Sequence, residues 1–167
     1  MESEDNSEET LELLRRWNIP AIPPEKIIES RLVGACSRPI RKQLTESDIN
    51  GEELMLAMSP VKKKFLPLLE EESEIHQGQR GKTVSLYGPY GKLHDTETWM
   101  INRDSLDSIT GWRKFVGEYE LKENCDFITV WMFIHEETHE FCLAIDRTRI
   151  SLQKQLSQRI SKAVFGD

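Results

Sequence analysis

Apolar residues fall along the chain in two rhythms, and the longest runs keep the strand rhythm: Phe127-Ile128-Thr129-Val130-Trp131-Met132-Phe133-Ile134, then Phe141-Cys142-Leu143-Ala144-Ile145. Runs rich in β-branched and aromatic residues, parted by a polar hinge, predict strand, turn, strand. Further strands are predicted near Ile40 to Leu44, Leu54 to Met58, Thr83 to Tyr87 and Thr98 to Asn102. Strands of this length separated by polar loops predict a mainly β fold, an antiparallel sheet closed or half-closed into a barrel.

Helical spacing appears between and outside the strands. Leu11, Leu13, Leu14 and Trp17 predict a short helix that Pro20 closes. In "SPVKKKFLPLL", Ser59 is placed to cap a helix with Pro60 at its first position, and Pro67 is expected to shorten it. A second helix is predicted over Trp112 to Tyr119, after Gly111, with Trp112, Phe115 and Val116 on one face. Leu152, Leu156, Ile160 and Val164 recur at helical spacing near the end of the chain. That amphipathic helix is expected to dock on the barrel, with a homodimer or protein-partner surface as the sharper alternative. Three parts follow: an acidic disordered tail, short helix and Pro-marked linker over 1–36, a barrel over 37–149, and the helix over 150–167.

A chain of 167 residues is one domain with extensions, long enough to bury a core without staples. The cysteines, Cys36, Cys125 and Cys142, are odd in number and lack C-x-x-C spacing, so they read as reduced core thiols. The polar start "MESEDNSEET" carries no signal-peptide pattern, and no apolar run approaches the ~20 residues that span a membrane. Net charge is −7, and Glu2, Glu4, Asp5, Glu8, Glu9 and Glu12 contribute acid before any basic residue appears. A nucleic-acid binder with that balance must gather its positive charge on one face.

One short stretch points elsewhere. His135-Glu136-Glu137-Thr138-His139 matches H-E-x-x-H, a zinc metalloprotease pattern whose chemistry needs a helix, because only a helical turn puts both histidines on one face. Its flanks are strand-like, and Cys142 stands where a longer metalloprotease pattern has glycine. The stretch is therefore expected to be a hairpin tip, with His135 and His139 in a solvated turn, no metal and no cofactor.

The order of elements is more specific than any one of them. "IRKQLTESDIN", "LMLAMSPVKKKFLP", "GKTVSLYGPYGK", "WMI", "ITGWRKFV" and "CDFITVWMFIHEETHEFCLAID" together resemble the plant-specific B3 DNA-binding domain, in a divergent branch of transcription-factor type. The resemblance covers about residues 38–147, and its most telling pieces are Lys42 to Asp48 and Gly111-Trp112-x-x-Phe115-Val116. It implies a seven-stranded open antiparallel pseudobarrel with two short helices, a nuclear location, double-stranded DNA as partner and no enzymatic activity. It also implies two loop arms for the major groove, Ser47 to Glu52 and Asn102 to Ser108, where each base pair presents a distinct donor and acceptor pattern.

On those arms Asn50 and Asn102 carry amides suited to adenine edges, and Arg103 carries a fork suited to guanine. Ser47, Ser105 and Ser108 can donate to bases or phosphates, while Arg41, Lys42, Arg113 and Lys114 are candidates for phosphate neutralisation. Asp48 is expected to form a turn, bonding backbone two residues on. Asp104 and Asp107 flank Arg103 and would repel phosphates, which leaves a second function open: a barrel that has lost DNA binding and serves as a protein-interaction or dimerisation module.

Overall fold

The computed structural model describes residues 4–5, 7–56, 60–71, 85–95, 108–109 and 111–165. Its first half carries β1 (Glu4–Asp5), α1 (Glu8–Arg15), β2 (Val33–Cys36), β3 (Ile40–Gln43), α2 (Glu46–Asn50), β4 (Leu54–Met55) and α3 (Leu66–Glu71). Then come β5 (Ser85–Tyr87), β6 (Leu93–Asp95), β7 (Ser108–Ile109), α4 (Trp112–Glu118), β8 (Asp126–His135), β9 (Phe141–Arg149), β10 (Gln155–Leu156) and α5 (Gln158–Phe165).

The fold is mainly sheet, with an open, unclosed sheet and a few helices. The order β2-β8-β9-β5-β6 runs across it, and β3 joins the same edge of β8 as β2. The strand breaks between β2 and β3 because Pro39 has no N–H to give. Ser37 covers the break, its Oγ accepting from the Met132 N–H at 3.0 Å. Within this sheet, among the described residues, one pairing departs from the antiparallel expectation: β5 runs parallel to β9, with Leu86 opposite Leu143. Parallel neighbours need a long crossover, and the chain from β5 to β9 supplies one.

β8 and β9 form the predicted hairpin, and every residue of β8 is buried. Strand alternation sorts its side chains into separate cores. Ile128, Val130, Met132 and Ile134 face the main core, with Ile40, Leu54, Phe65, Trp112, Phe115, Leu143 and Ile145. Trp131 and Phe133 face the other way and are covered by Ile27 and Ile28. The Trp131 indole donates to the Pro20 carbonyl at 3.2 Å, so residues before β2 lie packed on the sheet. Val33–Cys36, expected in the linker, is a strand on β8.

The chain ends meet. Leu11 and Leu14 of α1 pack with Phe127, Leu152, Leu156 and Ile160, and β1 pairs parallel with β10. The helix expected over 150–167 begins only at Gln158, because the pairing with β1 draws Gln155–Leu156 into a strand, and the apolar face of α5, considered as a dimer or partner surface, packs against this chain's own side chains. Burial of such a face is what stabilises a short helix, since propensity alone leaves it marginal.

Two local expectations change. Ser59, the expected cap, lies outside the described residues, and Pro67 does not shorten the helix as expected: Val61–Phe65 forms a wide π-helical turn that runs into α3 through the proline. A widened turn relieves the clash and the missing hydrogen bond that proline brings to a regular helix. The strand expected at Leu54 to Met58 is only Leu54–Met55 among the described residues, and the strand expected at Thr98 to Asn102 lies outside them. Cys36 and Cys125 are half-buried and Cys142 is buried, none of them in a disulfide, and burial pushes the Cys36 thiol up to about 12. Among the described residues no helix is long and apolar enough to cross a membrane.

Candidate nucleic-acid interface

The first candidate arm grows from the end of β3. Thr45 caps α2, accepting the Asp48 N–H at 3.4 Å, while the Asp48 carboxylate takes the Thr45 N–H at 2.8 Å and the Thr45 hydroxyl at 3.0 Å. This reciprocal cap starts a helix of only five residues where a plain loop was expected. Asp48 forms a turn, but by reaching three residues back rather than two on. Ser47 and Asn50 are exposed on the helix. Its exit is tight: a Cβ on Gly51 would lie 2.9 Å from the Ser47 carbonyl oxygen. Only a residue without Cβ allows so close an approach.

Lys42 points into this arm. Its ammonium lies 2.9 Å from Asp48 Oδ1 and donates to the Met55 carbonyl at 2.7 Å. Arg41, next along the strand, sits between the rings of Trp17 and Phe165, 5.1 Å from each, and donates to the Val164 carbonyl at 2.7 Å. Burial pulls its pKa below the usual arginine value. This guanidinium, a candidate for phosphate, is engaged with the terminal segments and faces away from the arm.

The chain after the second candidate arm comes back to the first. β4 and β7 pair antiparallel, Leu54 opposite Ile109 and Met55 opposite Ser108. The indole of Trp112, buried at the start of α4, donates to the Asp48 carbonyl at 2.8 Å. Arg113 meets Glu52 at 3.2 Å, an exposed pair of small energetic weight, and Lys114 is exposed. Lys42, through the Met55 carbonyl, is tied to this short ladder, in which Ser108 stands, and Arg113 is tied to the chain just before it through Glu52. Asn102, Arg103 and Ser105 lie outside the described residues. Thr45, Glu52 and the Trp112 indole are the site residues that the sequence reading missed. For Thr45 a signal existed, the T-x-x-D spacing of a capping box.

Three curated proteins of Arabidopsis thaliana, named as B3 domain-containing proteins, are similar to the chain, two of them so named provisionally. One is 41% identical over 153 residues, 89% of this chain and 60% of its own length. A second is 41% identical over 132 residues, 77% and 66% of the two lengths, and a third 39% over 129 residues, 75% and 53%. The chain belongs to the plant B3 domain family. No family model matches it. This B3 chain spans between about half and two thirds of the length of these relatives.

In this B3 chain the H-E-x-x-H stretch closes the β8–β9 hairpin rather than forming a helix. His135 ends β8 and its N–H donates to the Glu140 carbonyl at 2.9 Å. The turn is not wholly solvated, as was expected, because His135 is only 7% exposed. Its Nδ1 accepts from the Glu137 and Thr138 N–H groups at 3.1 and 3.3 Å, which draws the ring against the turn. His139 is exposed, in the left-handed region at φ 59°. Among the described residues no group of three or more His, Cys, Asp or Glu is placed to hold a metal ion.

Proposed function

We propose that the chain binds double-stranded DNA sequence-specifically, as the DNA-reading domain of a nuclear transcription regulator and not as an enzyme. Two arms, residues 47–52 and 102–108, enter the major groove from a seven-stranded open pseudobarrel. Asn50, Asn102 and Arg103 read base edges, Ser47, Ser105 and Ser108 bond bases or backbone, and Arg113 and Lys114 meet phosphates. Family membership supports this reading, since the relatives' names carry the B3 domain. The observation that carries it is the β4–β7 ladder with the Trp112–Asp48 hydrogen bond. The ladder joins the chain at the exits of the two arms, and the hydrogen bond ties Trp112 to the first arm itself, as two arms entering one groove require.

The test is selection from a random duplex pool with the purified chain, repeated at about 50 mM and about 200 mM salt. A short enriched motif is expected, bound more weakly at the higher salt because phosphate contacts release counterions. Arg103→Ala should then relax preference at a single base, at a cost of roughly 1–3 kcal/mol. A folded chain that enriches nothing, or binding indifferent to salt, would overturn the proposal in favour of an interaction module.

A further inference from the structure

We infer that Lys42 and Asp48 act as a positioning brace for the first arm, and that Lys42 does not itself neutralise a DNA phosphate. The inference rests on the DNA-reading proposal above and assigns a division of labour within it.

The geometry of the ammonium is the first ground. Among the described residues Lys42 has two acceptors, Asp48 Oδ1 at 2.9 Å and the Met55 carbonyl at 2.7 Å, and its side chain is 27% exposed. A phosphate contact would have to take the remaining donor or displace a partner. Displacement is disfavoured because the Asp48 side chain is only 7% exposed, and a buried carboxylate left without its counter-charge is strongly destabilising.

The second ground is what the pair connects. Lys42 belongs to β3, before the arm, Asp48 lies within it, and Met55 belongs to β4, after it. One ammonium therefore ties the arm's entrance, middle and exit. Asp48 adds Thr45 through its carboxylate and Trp112 through its carbonyl, which extends the tie to the segment beyond the second arm. Ser47 and Asn50 are carried on the helix so held. Ordering a recognition element before it binds removes conformational entropy that binding would otherwise have to offset. The brace thus supports affinity and base preference without adding to the count of phosphate contacts.

The opposing accounts differ in sign at Asp48. If Lys42 contacts phosphate, Asp48→Asn releases the ammonium and removes a negative charge, so DNA is bound more tightly. Lys42→Met then weakens binding on every sequence and lowers the salt slope by about 1. If the pair is a brace, both substitutions weaken binding, Asp48→Asn by roughly tenfold, and blur preference in the half of the motif read by the first arm. The salt slope of Asp48→Asn then stays that of the wild type. The amide introduced by Asp48→Asn keeps an acceptor oxygen for the Thr45 N–H, so this variant retains the cap and folds even where Lys42→Met fails.

The experiment is fluorescence anisotropy on the selected duplex and on single-base variants of it, across a salt series, for wild type, Asp48→Asn and Lys42→Met. Weakened, less selective binding by Asp48→Asn at an unchanged slope supports the brace. Tighter binding by Asp48→Asn, or equal losses on all duplexes with a reduced slope in Lys42→Met, overturns it while leaving the DNA-reading proposal intact. A wild-type chain that retards no duplex overturns that proposal and the role assigned here together.

Discussion

Arg149 grips the buried carboxylate of Asp126 with two hydrogen bonds, Nε to Oδ1 at 2.8 Å and Nη2 to Oδ2 at 2.9 Å. The two residues stand directly opposite each other where β8 begins and β9 ends, so the pair closes the open end of the hairpin. Burial pushes the Asp126 carboxyl up, but the bonds from Arg149 and from the Lys122 N–H, with the charges of Arg149 and Arg147, outweigh it and hold its pKa below the ordinary 3.8.

A depressed carboxyl pKa makes stability acid-sensitive. The unfolded chain takes up the proton first, so the contribution is present above about pH 4 and is lost as pH falls through the folded value. Asp126→Ala should cost about 3 kcal/mol at neutral pH, because it strands the Lys122 N–H and removes the partner of Arg149. Urea unfolding across the acid range checks both points. An acid dependence as steep in Asp126→Ala as in the wild type would refute the assignment.

His94 titrates in a different window. Its Nε2 lies 2.6 Å from the Tyr119 hydroxyl, and its ring packs 5.6 Å from that of Phe115. Burial, helped by Lys92, lowers its pKa below 6.5 against the opposing pull of Glu118. Burial and then Glu118 push Tyr119 up to about 12. The stability supplied by neutral His94 is therefore complete above about pH 6.5 and lost as pH falls through its folded value. Tyr119 acts at the other end, its contribution lost as pH rises from about 10 through the folded value. A proton NMR titration of the imidazole should place the His94 midpoint under 6.5, and a midpoint above that would contradict the buried, neutral ring.

The sandwich of Arg41 between Trp17 and Phe165 predicts that the chain ends stabilise the body. Arg41→Lys should cost about 1–2 kcal/mol, since a lysine lacks the flat guanidinium that stacks on both rings. Ile160→Ala, fully buried in the terminal cluster, should cost about 3 kcal/mol. Unfolding followed at several protein concentrations checks the covering of α5 as well. A midpoint that rises with concentration would mean that this face is completed by a second copy.

The parts legible in the sequence are those set by neighbours along the chain. The β8–β9 hairpin follows from β-branched and aromatic runs around a polar hinge, and that pattern by itself argues against the zinc-type helix. The helix after Gly111 is equally local, because that glycine sits at φ 80° and opens a turn few other residues enter. Membership of the B3 family was legible in the order of short motifs. Pairings between distant residues were not legible. Arg41 is as basic as Lys42 and adjacent to it, yet one meets residues of the chain ends and the other Asp48 and Met55. Strand alternation sends the two to opposite faces, and what waits on each face comes from elsewhere in the chain. Pro67 inside a helix, the burial of His135 and the filling of α5 by α1 have the same origin. Local propensity amounts to under about 1 kcal/mol per ordinary residue, whereas burying one large apolar side chain contributes roughly 1.5–3, so long-range packing overrides the local preference wherever the two differ.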